Sequence, residues 1–399
     1  MTAQSDPAGG GAGRRRPIKG RGSTINPEGR FEKFARERFD DGWAGQADAP
    51  GIGAAAQGRA DADGPAALTD EDVGHAMDGE PNPETRLFID HARSIITRND
   101  SPDIPFTQSI NPYRGCEHGC VYCYARPAHA YLDLSPGLDF ETKLFYKPDA
   151  AALLERELRK PGYVPEWISL GANTDPWQPV ERKLGVTRGI LEVLARFRHP
   201  VGIVTKGAAL IERDLDLLTD LARDRLVFVA ISVTTLDPAL KRRLEPRASA
   251  PATRLRVIRR LADAGIPTMA LFSPVIPFVN DAELERVLEA VRDAGAQRAN
   301  YVMLRLPHEV KDLFRDWLQT HMPLKAAHVM SLVQQLRGGR DYDADYAQRM
   351  RGQGVYAELI AQRFRKACQR LGLNREGRFQ LSTAHFRVPP AAGDQLSLL

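Results

Sequence analysis

From about residue 104 the sequence alternates short apolar runs with amphipathic stretches. This alternation restricts the chain to a parallel sheet flanked by helices. The runs are Trp167–Leu170, Val201–Thr205, Val227–Val233, Pro267–Phe272 and Tyr301–Leu304. Each is apolar at successive positions, as a strand buried on both faces must be. Most are followed by a helix-like stretch, such as Leu210–Leu221, Ala252–Ala264 or Asp281–Ala294. Gly265 and Gly295 stand just past the last turn of two of these, where a left-handed cap ends a helix. A strand spacing of about 26–40 residues suits βαβ units, because parallel neighbours need a helical crossover. Counting an entry strand at Phe106–Ile110 gives about six units, short of the eight in a closed TIM barrel. The expectation is an α/β fold, a partial, open (βα)6 TIM-like barrel over residues 100–322.

The flanks read differently. Residues 323–399 are expected to form a helical C-terminal extension, with Ala326–Leu336 closing at Gly338-Gly339 and Val355–Leu371 amphipathic. Residues 1–85 are expected to be mostly disordered. Within them, residues 1 to about 25 make a Gly-rich basic tail carrying Arg14, Arg15, Arg16, Lys19 and Arg21. Phe31, Phe34, Ala35 and Phe39 place a short amphipathic segment at 26–43. Residues 44–85, with nine acids against Arg59, read as a linker. The N-terminus has no apolar h-region and no run reaches the roughly 18 apolar residues of a membrane span, so neither a secretory signal nor a membrane is expected. A formal charge of +4 creates no strong global field.

Three of the four cysteines, Cys116, Cys120 and Cys123, fall within eight residues of the string INPYRGCEHGCVYCYARP. Such a cluster is no disulfide framework and points to a reducing cytoplasm. Soft thiolates select zinc, copper(I) or iron–sulfur clusters. An iron–sulfur cube takes four thiolates as a rule, so three leave one iron open to another ligand. Gly115 and Gly119 immediately precede Cys116 and Cys120 and allow the loop to curl. The loop follows the entry strand, at the carboxyl end where active sites gather in parallel α/β folds. A zinc site is the alternative, with His118 or His129 as fourth ligand. Structural zinc pairs C-x2-C with a second distant pair, and none is present.

Polar residues also stand at the ends of later strands. Asn173, Thr174 and Asp175 follow the run ending at Leu170, with an Asx turn into Pro176 as the alternative role of Asp175. Lys206 follows Val201–Thr205, Ser232 ends the next run, and Arg247 sits in the loop beyond it.

The pattern C-x3-C-x-aromatic-C, with Tyr122 before the last cysteine, resembles the signature of the radical S-adenosylmethionine (SAM) superfamily. The strings GANTDPWQPVE, TKGAALIERDLDLL and ISVTTLDPALKRRLEPRA are similar to its spore-photoproduct-lyase-like branch, and to a bacterial subgroup within it. The resemblance implies that Cys116, Cys120 and Cys123 hold a [4Fe–4S] cluster and that SAM chelates the fourth iron. It implies reductive cleavage of SAM to a 5′-deoxyadenosyl radical that abstracts hydrogen from a substrate. An external one-electron reductant of flavodoxin or ferredoxin type would supply the electron. Tyr122, Asn173, Asp175, Lys206, Ser232 and Arg247 become SAM-site residues.

The lyase carries a hydrogen-donor cysteine in the loop that here reads Leu170-Gly-Ala-Asn-Thr-Asp175; the equivalent residue is Ala172. Cys368, the only other thiol, falls in a helix-like stretch and reads as a small buried hydrophobe. The radical-generating half of the resemblance is therefore better supported than lesion repair. A nucleic-acid substrate remains an alternative, because residues 336–387 hold eleven Arg/Lys against five Asp/Glu, interleaved with Tyr342, Tyr346, Tyr356, Phe364 and Phe379. A non-catalytic zinc- or nucleic-acid-binding protein is the remaining reading.

Overall fold

The computed structural model describes residues 17–31, 84–375 and 379–390. Its strands, in chain order, are β1 (Arg86–Ile89), β2 (Ile96–Arg98), β3 (Gln108–Ile110), β4 (Tyr113–Arg114), β5 (Lys143–Tyr146), β6 (Ile168–Leu170), β7 (Val201–Thr205), β8 (Val227–Ser232), β9 (Thr268–Val275) and β10 (Arg298–Met303). The main sheet runs β10-β9-β8-β7-β6-β3-β2. Every pair from β3 to β10 is parallel, and β2 closes one edge antiparallel to β3. Six parallel strands with helical crossovers make the open (βα)6 arrangement expected from the spacing of apolar runs. Ile168, Leu170, Val201, Ile203, Val227, Val229 and Ile231 are buried, as strands covered on both faces require.

Differences from expectation have physical causes. The last strand begins at Arg298, three residues before the apolar run at Tyr301. As a sheet edge it alternates half-exposed and buried positions, so Arg298 and Asn300 belong to it although they are polar. The stretch Leu210–Leu221 breaks into Ala208–Ile211, a 3-10 turn at Glu212–Asp214 and Leu215–Arg223. The turn buries Asp214, which accepts from Trp177 Nε1 at 2.9 Å. A second sheet, β1-β5-β4, was not anticipated.

Within the expected tail, residues 17–25 are described, and part of them is bonded to the rest of the fold. Gly22 and Ser23 donate backbone N–H bonds to the buried Glu141 carboxylate at 2.9 and 3.0 Å. Arg21 reaches the Glu141 carbonyl at 2.8 Å, and Asn26 exchanges two bonds with Asp139. This strap is held by polar backbone contacts rather than apolar burial, so hydropathy does not reveal it. Residues 26–31 form no helix, and the rest of the 26–43 segment lies outside the described residues, as do residues 1–16 and nearly all of the expected linker.

The helical C-terminus covers two places. Helices Val310–His321 and Ala326–Gln335 share a core with Val121, Tyr122, Leu240, Leu244 and Ile276, beside the cysteine loop. Helix Gly354–Leu371 packs on the barrel wall, with Phe364 against Tyr301 and Arg363 paired to Glu285 at 2.6 Å.

Candidate metal centre

The cysteine loop leaves the carboxyl end of β3, crosses β4 and turns at Gly115 and Gly119, whose φ values of +80° and +65° favour glycine. A Cβ at Gly119 would meet Glu141 Oε2 at 2.8 Å, and one at Gly22 of the strap would meet the Gly119 carbonyl at 1.7 Å. The loop is clamped along its backbone. Cys116 N–H donates to the Phe140 carbonyl at 2.9 Å and Val121 N–H to that of Leu244 at 3.2 Å. Buried Gln178 accepts from Glu117 N–H at 2.9 Å and donates to the Gly115 carbonyl at 3.2 Å. Buried Arg126 donates to the Cys120 carbonyl at 2.9 Å and pairs with Glu141.

The three thiols are free, with Cys116 and Cys120 buried and Cys123 partly exposed. Burial, then Asp175 and the neighbouring cysteines, pushes the Cys116 thiol well up. Burial and Glu245 push Cys120 up to about 12, against an opposing pull from Lys206. A loop that resists bare thiolates suits them once a cationic group arrives, since metal binding deprotonates its ligands. Among the described residues, no three His, Cys, Asp or Glu side chains are gathered as ligands of a single ion would be.

The polar strand ends surround this loop through two networks. Asp175 Oδ1 accepts from Trp177 N–H at 2.9 Å and Thr205 Oγ1 at 2.7 Å. Its Oδ2 accepts from Lys206 N–H at 2.6 Å and lies 3.3 Å from His118 Nδ1. Burial raises this carboxyl, but His118 and the hydrogen bonds outweigh it and hold it at about 2. Both Asp175 oxygens are thus taken by protein groups, and the Asx turn is formed. In the second network, buried Glu245 accepts from Tyr122 and from Thr234 Oγ1 (2.6 Å) and pairs with buried Arg254. Arg254, Lys206 and the hydrogen bonds overcome burial to keep Glu245 ionised, at about 2. Lys206 Nζ stands 6.0 Å from the Tyr122 ring centre. Ser232 is buried, its carbonyl accepting from Arg254 at 2.8 Å. Exposed Asn173 is fixed through its N–H to Asn111 Oδ1 at 2.9 Å. Arg247 pairs with Glu117 at 3.1 Å.

The radical SAM superfamily model matches residues 110–291, which span the cysteine loop and the strand ends around it. Over these residues the chain is similar to radical SAM proteins. An uncharacterized protein of Mycobacterium tuberculosis is 38% identical over 222 residues, covering 55% of this chain and 65% of that one. An uncharacterized protein of Methanocaldococcus jannaschii is 28% identical over 174 residues, covering 44% and 62%. The chain thus spans less than two thirds of each of these relatives. In fold it is similar to a mutant of spore photoproduct lyase, with a TM-score of 0.50 at 14% identity over 76% of this chain and 87% of that one.

Sequence reading missed Glu245, Arg254, Gln178, Arg126 and Glu141 around this loop. Arg254 had a signal: it occupies the stripe of Pro251, Val257, Ile258 and Leu261, where an apolar residue belongs. Beside Cys123, the exposed Tyr124 donates its hydroxyl to the carbonyl of Ala172. Of the aromatics considered as stacking platforms, Tyr356 bonds to Asp281, Phe364 packs on Tyr301 and Phe379 on Phe228. No helix among the described residues is long and apolar enough to cross a membrane.

Proposed function

We propose that this chain is a radical SAM enzyme in which Cys116, Cys120 and Cys123 hold a [4Fe–4S] cluster with one iron left for SAM. The observation that carries this reading is the set of three free thiols on a clamped loop at the carboxyl end of the first parallel strand. The remaining thiol, Cys368, belongs to a distant helix and contacts Asn374. When bound, the reduced cluster and SAM supply a 5′-deoxyadenosyl radical for hydrogen abstraction.

The chain's own residues position and shield. Lys206 offers a point charge to the SAM carboxylate, and Asn173 and Ser232 offer polar groups at neighbouring strand ends. Asp175 orients His118 and the Lys206 backbone. Glu245 fixes Tyr122 against the last cysteine and neutralises Arg254. Arg247 acts through Glu117, holding the loop. The cysteine loop would receive its electron from a flavodoxin- or ferredoxin-type donor in a reducing cytoplasm. With Ala172 where the lyase has its donor cysteine, the reading leaves lesion repair aside.

The test is purification without oxygen, reconstitution with iron and sulfide, and addition of dithionite and SAM. We expect a brown protein that forms 5′-deoxyadenosine, and Cys116→Ala should lose both colour and product. A colourless protein with one zinc and no SAM cleavage would overturn the reading.

A further inference from the structure

Beyond the carboxyl end of β10, two guanidinium groups make no ion pair among the described residues, although Asp103 acts on Arg305 and Asp343 on Arg337 through longer-range attraction. Arg305 stacks over the Tyr124 ring at 4.9 Å, one residue from Cys123 and against the Ala172 side of the loop. Its Nε is buried with no hydrogen-bond partner, and Nη1 meets only Met350 Sδ at 3.6 Å. Among the described residues it makes no ion pair. Buried Arg337 beside it donates to the carbonyls of Gln348 (2.7 Å) and Leu304 (2.8 Å), again with no carboxylate. Burial and the Arg305 charge hold Arg337 down at about 10. The nearby acids are engaged elsewhere: Asp103 binds Arg349 through both oxygens at 2.5 and 2.6 Å, and Asp343 binds Arg340 at 2.8 Å.

A buried guanidinium N–H without an acceptor carries a desolvation cost that a ligand oxygen removes. Two adjacent cations without a contacting carboxylate add a local positive potential, and a planar fork suits an oxyanion. We infer that Arg305 is the anchor for an oxyanion, a carboxylate or a phosphoryl group, on the molecule processed beside Cys123. Processing of that molecule rests on the radical-enzyme reading; the anion site itself does not. Arg305 touches the substrate in this role, while Arg337 acts through it.

The test is titration calorimetry on the reconstituted protein at fixed ionic strength, with inorganic phosphate and acetate as separate probes. Saturable binding of either is expected, weakened about tenfold or more in Arg305→Gln, as loss of charge-assisted hydrogen bonds implies. Arg305→Lys should fall between, keeping the charge and losing the fork. Binding of phosphate alone assigns a phosphoryl group, acetate alone a carboxylate, and both a site that accepts either. Absence of saturable binding, or equal binding by Arg305→Gln, overturns the proposal. SAM cleavage by the wild type is read separately. Its absence beside Arg305-dependent binding sinks the radical reading and leaves the anion site standing.

Discussion

At the scale of single residues, Glu245 and Arg254 matter most among the groups that sequence reading left out. Both are buried, and each compensates the other's charge. Glu245→Ala should therefore cost about 3–5 kcal/mol, because it leaves the Arg254 guanidinium buried and unpaired. Denaturant unfolding measures this, and an effect below about 1 kcal/mol, the scale of an exposed pair, would refute the assignment. The same variant frees the Tyr122 hydroxyl beside Cys123, so iron content after reconstitution should fall with stability. The cysteines were legible because their type and spacing are local facts. Glu245 lies 122 residues beyond Cys123 in the chain, and no local pattern joins them.

At the scale of elements, two irregular straps pack against the barrel. Residues 17–31 cross the cysteine loop, where Gly22 and Gly119 approach too closely for any side chain. Residues 379–390 cover the opposite mouth: Phe386 contacts Tyr163, His199 and Phe197, and Arg387 N–H donates to the Phe197 carbonyl at 3.0 Å. Phe386→Ala should lower stability by about 1–2 kcal/mol, the value of a half-buried aromatic ring. A matching change in the unfolding midpoint, with SAM cleavage at permissive temperature retained, is the expected result. Unchanged stability would remove the strap from the fold's support. The main strands and helices were readable from periodicity, whereas the straps were not. Their contacts are made by backbone groups and isolated rings, which leave no period in the string.

At the scale of the whole molecule, two buried histidines set a pH dependence. Burial lowers His129 to about 4 and His199 to about 4, from an ordinary 6.5. The unfolded chain binds more protons than the folded one between these values, so stability rises with pH across that window. Lowering the pH from about 6.5 to 4 should remove up to about 3 kcal/mol per histidine, at about 1.4 kcal/mol per unit. Unfolding midpoints across this range measure it, and His199→Gln should flatten the slope; a flat profile in the wild type would contradict the burial argument. The alternation of apolar runs and helical stretches already specified an open parallel barrel, since strand burial and crossover length are properties of neighbouring residues. The C-x3-C-x2-C spacing likewise specified a three-thiolate loop at a strand's carboxyl end. Only the tertiary structure decided which charges neutralise each other, that Asp175 is held by protein donors, and that Arg305 faces Tyr124 without an ion pair among the described residues. Those outcomes depend on which distant segments meet in a low-dielectric interior, where an unpaired charge is costly and the chain's local pattern carries no record of its partner.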